Sequence, residues 1–168
     1  MSFKWKNDSI KRNFGFYIEQ LIYKENRFHA VYFVDSLTGA LLVSKRYSGT
    51  NYGLKETDDD LISNFLNAIN MFIREIRTNK EEEIQEINFK DTRILYEKKG
   101  RLLCVGITKK TNLNVERAIL HELLKDFFYR FEDVIKNFRG YVPPEIINYK
   151  NKLDNLDLNS LFKFNINL

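Results

Sequence analysis

Two apolar runs separated by a short polar turn constrain the fold of this chain more than any other feature. The runs are residues 30–34 and 40–43, and the turn is residues 35–39. β-Branched and aromatic residues favour strands, and an Asp, Ser and Gly cluster between two such runs is typical of a β-hairpin. Gly39 can adopt the positive φ that such turns often require. Because the first run lacks polar alternation, it predicts a strand covered on both faces.

Apolar residues at helical spacing predict one helix before the hairpin and two after it. On residues 9–23 they form a single stripe: Ile10, Phe14, Tyr17, Ile18, Leu21 and Ile22. Residues 60–77 repeat the pattern after Thr57, a candidate N-cap. The longest predicted helix runs from Leu113 to about Phe138 and ends before Gly140. These stripes are typical of helices that pack on a core.

Three further strands are predicted between the last two helices, at residues 84–89, 93–97 and 102–108. Their short connections indicate an antiparallel meander. The last of them is almost uninterrupted in its apolar character, which predicts a second doubly covered strand. At the carboxyl end, residues 145–153 predict a short helix. Residues 162–168 alternate apolar and polar side chains, which predicts a terminal strand that docks on this domain or on a partner.

Composition narrows the class of protein. The chain has 168 residues, 43% of them hydrophobic, which is enough for one domain with a real core and far from a disordered composition. A net charge of +4 is too dilute to indicate a nucleic-acid partner. A single cysteine, no signal-peptide pattern and no apolar run of about 20 residues lead us to expect a cytoplasmic protein.

Residues that could carry chemistry are few and scattered. The two histidines, His29 and His121, have no partners at metal-ligand spacing, and we expect both at a solvent edge. Cys104 lies in a predicted central strand, where a cysteine behaves as a small hydrophobic residue. Neither a phosphate-binding loop nor a G-x-S-x-G motif occurs in the sequence. We therefore predict a protein that is not an enzyme, with no cofactor and no metal site.

The order of predicted elements is α-ββ-α-βββ-α with a carboxyl-terminal tail. The segment FVDSLTGALLVSKRYSG, followed by a capped amphipathic helix, a three-strand meander and a long helix, resembles a longin domain. The related roadblock domain shares this profilin-like fold, and the resemblance covers about residues 28–138. The helix at residues 9–23 is the roadblock arrangement, whereas the material after the last helix is more like longin.

The resemblance implies a layered α+β fold, in which a five-stranded antiparallel sheet of order 2-1-5-4-3 carries helices on both faces. Residues 1–140 would form one domain, including the helix at residues 9–23. Residues 141–168 would form a carboxyl-terminal extension with a short helix and a terminal strand.

By resemblance, the chain is expected to form homodimers or heterodimers that serve as platforms or regulators for small GTPases in trafficking or signalling. Longin and roadblock domains commonly pair through the third strand and the adjacent helix. An edge strand can also accept a further strand from another chain. The candidate interaction residues are Ile84, Gln85, Glu86, Ile87, Asn88 and Phe89 on the strand, with Phe65, Ile69 and Phe72 on the helix.

The alternative function is a peripheral membrane or cargo adaptor module that makes no contact with a GTPase. If the two central strands run antiparallel, a candidate basic rim gathers at one end of the sheet: Lys24, Arg27, Lys45, Arg46, Lys109 and Lys110. Each cation near an anionic bilayer contributes about 1 kcal/mol. A rim that is simply solvated is the plainer interpretation of the same residues, because Asp58 to Asp60 would offset part of the field.

Overall fold

A computed structural model of the chain describes residues 27–47, 59–76, 83–156 and 158. Four predictions therefore lie outside the described residues: the helix at residues 9–23, the cation Lys24, the N-cap Thr57, and the terminal strand at residues 162–168.

The sheet has five strands, all paired antiparallel. They are β1 (Phe28–Asp35), β2 (Leu41–Arg46), β3 (Glu86–Asn88), β4 (Thr92–Lys99) and β5 (Leu102–Lys109), and their spatial order is β2-β1-β5-β4-β3. This confirms the sheet order that the resemblance implied. It also confirms the two doubly covered strands, because β1 and β5 are adjacent at the centre and almost wholly buried.

Five helices are described: α1 (Asp59–Ile76), α2 (Leu113–Arg130), α3 (Glu132–Lys136), α4 (Pro144–Ile147) and α5 (Tyr149–Asn155). The prediction of one helix from Leu113 to Phe138 was wrong in one respect, because the helix breaks at Phe131, whose φ is −124° and ψ 26°. That ring is buried and packs edge-on against Phe127 and Tyr149. The helix predicted at residues 145–153 is likewise two short helices, α4 and α5. The strand predicted at residues 84–89 has only three residues.

The helices lie on both faces of the sheet, as expected. On the first, here called the α2 face, side chains of α2, α3, α4 and α5 pack with β1, β2, β4 and β5 in one large buried cluster. Phe33 of β1 stacks on Phe127 of α2 with ring centroids 4.2 Å apart, and Tyr149 meets both rings edge-on. On the second, here called the α1 face, a smaller cluster surrounds Leu66 of α1. The fold is therefore α+β with three layers.

A β-bulge sets which face the start of β1 uses. Phe28 pairs with Thr108 and Ala30 with Ile107, so His29 is an extra residue on β1. The bulge reverses the alternation of side chains, and Phe28 joins Val31 on the α2 face. A Cβ at Gly106 would lie 2.8 Å from the Phe28 ring and 3.1 Å from Leu120. The glycine thus lets this ring and α2 pack directly against the strand.

Candidate protein-interaction surface

β3 occupies an edge of the sheet, as predicted. The backbone N–H of Tyr96 donates to the Gln85 carbonyl at 3.1 Å, and that of Phe89 donates to the Thr92 carbonyl at 2.9 Å. Residues 85, 87 and 89 therefore direct their backbone groups toward β4. Because these directions alternate along a strand, the backbone groups of Glu86 and Asn88 point away from the sheet. They are the groups that an added strand would meet.

The side chains of these two outward residues are held on the α2 face. Asn88 donates to one carboxylate oxygen of Glu86 at 2.8 Å, and Arg117 of α2 donates to the other at 2.9 Å. The hydrogen bond from Asn88, followed by that from Arg117, lowers the pKa of Glu86 below its ordinary value. Arg117 also approaches Glu97 of β4 at 3.5 Å. A short, charged edge strand of this kind limits uncontrolled pairing.

The apolar side chains near β3 lie on the other side of the sheet. Ile84 and Ile87 pack partly into the α1 face cluster, whereas Phe89 is 51% exposed. Both α1 and β3 therefore border the same cluster. The apolar residues of the two predicted groups therefore lie on the α1 face, whereas Glu86 and Asn88 lie on the α2 face, and α1 packs against β2 at the other edge of the sheet from β3.

α1 carries an apolar sector that is wider than its contact with the sheet. Leu66 is buried and Ile69 half-buried, but Phe65 is 43% and Phe72 64% exposed. At 100° per residue, the two phenylalanines lie about 100–120° round the helix from Leu66. Asn67, on the opposite flank, would touch a Cβ placed at Gly39 in the hairpin turn. The flank with Phe65 and Phe72 consequently faces away from that turn.

We define the α1–β3 surface by six apolar residues: Phe65, Ile69, Phe72, Ile84, Ile87 and Phe89. Met71 of α1 is also exposed, at 66%. The sequence argument missed it because it lies off the stripe of apolar residues at steps of three and four. At 100° per residue it lies about 100° round the helix from Phe72, on the side of Asn67, and so outside this surface.

The basic rim is also brought together in part. Arg46 pairs with Ala30, Thr108 pairs with Phe28, and the Lys109 N–H donates to the Arg27 carbonyl at 3.0 Å. The ends of β1, β2 and β5 that carry these cations are therefore at one end of the sheet, with exposed Lys110 just beyond. Lys45 forms an ion pair with Asp154 of α5, so part of its charge is neutralised.

The residues considered as catalytic groups or metal ligands do not come together in one site. Cys104 is fully buried, and burial, followed by the charge of Glu97, raises the pKa of its thiol. His29, the extra residue of the bulge, is buried, so the expectation of a solvent-edge position was wrong for this residue. His121 is exposed, with Nδ1 3.7 Å from Glu97. Across the described residues, no group of three or more His, Cys, Asp or Glu side chains could hold a metal ion.

Two buried carboxylates that sequence reasoning did not single out serve to tie elements together. Asp35 accepts hydrogen bonds from Arg101 at 2.6 and 2.9 Å and from the Thr38 hydroxyl at 2.6 Å. Glu116 accepts from the N–H and hydroxyl of Thr111 at 2.9 and 2.8 Å, and its other oxygen lies 3.1 Å from Arg93. Both oxygens of Asp35 accept hydrogen bonds, whereas Glu116 Oε2 makes the ion pair with Arg93 without a hydrogen bond; the partners of both carboxylates belong to the fold, which argues for structural roles.

None of the described helices is long and apolar enough to cross a membrane. No protein-family model and no curated protein matches the chain. One structure that resembles it is a chain in a homology model of the full-length AP-3 complex in a stretched open conformation. The TM-score is 0.35 at 15% sequence identity, over 76% of this chain and 94% of that one. A likeness at this TM-score carries no argument about function.

Proposed function

We propose that this chain is a non-enzymatic interaction module that pairs with a second longin-like or roadblock-like subunit through the α1–β3 surface. The second subunit is another copy of the chain or a different protein of that kind. The pair then serves as a platform or regulator for a small GTPase in trafficking or signalling, in the cytoplasm or at a membrane surface. The observation that carries this proposal is the exposed apolar flank of α1 on the face that β3 also borders.

The flank of α1 has the properties of an interface anchor. Phe65 and Phe72 are large aromatic side chains, a class that is enriched at the energetic centres of interfaces. Each would gain about 1.5–3 kcal/mol on full transfer out of water. Neither is part of the described core, where α1 contributes Leu66 and the partly buried Ile62.

The edge of β3 supports the same orientation of a partner but cannot supply most of the affinity. Only Glu86 and Asn88 offer outward backbone groups within the strand, so an added strand would gain few ladder hydrogen bonds. The helix flank must then provide the larger apolar contact. The GTPase part of the proposal comes from the resemblance to longin and roadblock domains.

Sedimentation equilibrium and nucleotide-dependent capture test the proposal together. Replacing Phe72 with Asp should shift the chain toward monomer and abolish capture of GTPases that depends on the bound nucleotide. The matched control is Tyr129→Asp, because Tyr129 is exposed to a similar extent, 61%, but lies on α2. A wild-type chain that stays monomeric at high micromolar concentration rules out the homodimer. Equal effects of the two variants on partner capture would rule out this surface.

The basic rim favours the second candidate function, a peripheral membrane or cargo adaptor module without GTPase contact. Cations from three strand ends meet at one end of the sheet, and Lys110 is exposed there. Binding to acidic liposomes should then fall with added salt and with Lys110→Glu. The control is Lys150→Glu, an exposed lysine on α5 outside the rim. Binding that ignores salt or responds equally to both variants would contradict this function.

A further inference from the structure

We propose that α4 and α5 exchange between two copies of the chain, so that the helix pair of one copy fills the groove of the other. The groove lies on the α2 face between α2 and β2, and here the chain's own helix pair occupies it. Ile146, Tyr149 and Leu153 are buried in it, at helical steps of three and four. Asn148, between the two helices, has φ −66° and ψ −17°, so the three side chains share one face.

The apolar contacts in the groove centre on the ring of Tyr149. This ring meets Phe33 of β1, Phe127 of α2 and Phe131 edge-on, with centroids 4.8–5.8 Å apart. Aromatic pairs prefer such edge-to-face geometry. The groove therefore fits a short amphipathic helix that carries an aromatic side chain at this position.

Charge complementarity fixes how the helix pair lies in the groove. The Tyr149 hydroxyl and the Lys152 ammonium each donate to the same oxygen of Asp126 on α2, at 2.8 Å. At the other wall, Lys45 of β2 forms an ion pair with Asp154 of α5. All of these contacts join the helix pair to the body of the domain, so a second copy offers the same set.

The helix pair depends on a groove for its stability. α4 has four residues and α5 has seven, and neither has a side-chain hydrogen bond at its N-cap. Isolated helices of this length are unstable in water. The helix pair therefore stays folded only against a groove, and the groove of a second copy serves as well as its own.

Residues 139–143 form a hinge that permits the exchange. Arg139, Gly140 and Tyr141 are exposed. The chain turns at Gly140, whose φ is +102°, and glycine adopts positive and negative φ about equally well. Val142 and Pro143 each precede a proline, which favours extended backbone. Rotation at one glycine, in a hinge that otherwise stays extended, can direct the helix pair away from its own groove.

Protein concentration sets the balance between the two forms. The contacts are the same within one copy and between two copies, so the closed monomer prevails at low concentration and the exchanged dimer gains as concentration rises. The exchange does not rest on the proposed function, because the α1–β3 surface takes no part in it. Every chain in the first experiment below carries Phe72→Asp, which removes pairing through that surface.

Reversing one charge in each of two chains tests the exchange. One chain carries Asp126→Lys and the other Lys152→Glu, so that the groove and helix pair within each chain now repel each other. Mixed in urea and refolded together, the two chains regain matched charges in both grooves only by exchanging helix pairs. Sedimentation velocity should show about tenfold more dimer in the mixture than in either variant alone, since like charges in contact are strongly unfavourable.

The control carries Asp126→Lys and Lys152→Glu in the same chain, where groove and helix pair match again. It should melt near the parent Phe72→Asp chain and stay monomeric at the same concentration. If the two single variants do not fold separately, refolding them together should still give a folded dimer. A mixture with no more dimer than the single variants would overturn the inference in either case.

Disulfide trapping tests the exchange in a chain with the native Asp126 and Lys152. Lys45→Cys and Asp154→Cys replace the ion pair between β2 and α5, and Cys104 stays out of the reaction because it is fully buried. Oxidation should give an intramolecular disulfide at low concentration and a growing fraction of covalent dimer as concentration rises. Each single cysteine variant measures the dimer that forms by collision. A covalent dimer fraction no higher than in these controls would overturn the inference.

Discussion

The two faces of the sheet differ in how completely helices cover them. We expect the residues that stabilise the fold and the residues that bind a partner to lie on different faces. The α2 face buries a continuous aromatic and aliphatic cluster under four helices, with Phe33, Phe127 and Tyr149 in mutual ring contact. The α1 face has a smaller described cluster, and its helix keeps Phe65 and Phe72 exposed. Substitutions under the α2 face should therefore change folding, whereas substitutions on the outer flank of α1 should change association.

Two buried leucines, one under each face, give the largest expected effect. Leu120 of α2 and Leu66 of α1 are almost completely buried. Leu→Ala in a core lowers the free energy of unfolding by about 2–5 kcal/mol, and the cost is highest where neighbours cannot close the cavity. We expect Leu120→Ala near the upper end and Leu66→Ala near the lower end, as measured by urea unfolding. Equal losses would remove the proposed difference between the faces.

The ion pair at the hairpin turn predicts an effect that depends on pH. Burial alone would raise the pKa of Asp35, but the hydrogen bonds from Arg101 and Thr38 bring it below its ordinary value. Since the folded pKa is lower than the unfolded one, the carboxylate stabilises the fold above about pH 4 and loses this effect as the pH falls through the folded value.

Asp35→Asn should accordingly lower stability by about 1–3 kcal/mol at neutral pH, because Arg101 loses its charged partner. The difference in stability between this variant and the wild type should become smaller as the pH falls below about 4. Thermal melting of both proteins across this range checks the prediction. A difference that stays constant with pH would show that the charge of Asp35 is not the cause.

Gly106 tests how closely α2 packs on the sheet. Gly106→Ala would place a methyl group against the Phe28 ring and Leu120, and overpacking of this kind costs about 1–3 kcal/mol. The midpoint of urea unfolding measures it. The control is Gly140→Ala, where a Cβ would meet no atom within 4 Å but φ is +102°, so its cost reports backbone strain alone. A smaller loss of stability in Gly106→Ala than in Gly140→Ala would argue against close packing of α2 on the sheet at Gly106.

The two central strands followed from the sequence because uninterrupted apolar runs demand cover on both faces, whereas the sheet order was implied by the resemblance to longin and roadblock domains. The bulge at His29 could not be predicted, since no residue type marks it, and the histidine at the bulge is buried. The break at Phe131 was hidden for a related reason. The apolar stripe continues through the break, where the Phe131 ring packs edge-on against Phe127 and Tyr149.

The helix and the strand that form the candidate surface could be predicted. The length of the strand and the exposure of the helix side chains could not. The edge position of β3 follows from the strand order, and Phe65 and Phe72 follow from the period of α1. The length of β3 depends on its register with β4, which the sequence does not encode locally. The exposure of the two phenylalanines depends on the angle at which α1 lies, and that angle is set by Leu66 and by the contact of Asn67 with the hairpin turn.

The smallest effect on stability is expected on the outer flank of α1. Phe72→Ala should change the free energy of unfolding by less than about 0.5 kcal/mol, because the ring is largely exposed. Urea unfolding at low protein concentration, where association does not contribute, measures it. A loss comparable to that of Leu66→Ala would place Phe72 in the core of the fold and contradict its role in binding.

Hydrogen–deuterium exchange as a function of protein concentration tests the central claim most directly. If the chain pairs with itself through the α1–β3 surface, raising its concentration should slow exchange in peptides covering α1 and residues 84–89. Exchange in α2 should stay unchanged, and Phe72→Asp should remove the effect. With a different subunit as partner, the same peptides should be protected when that subunit is added. Protection confined to α2 or to the basic rim would contradict the account.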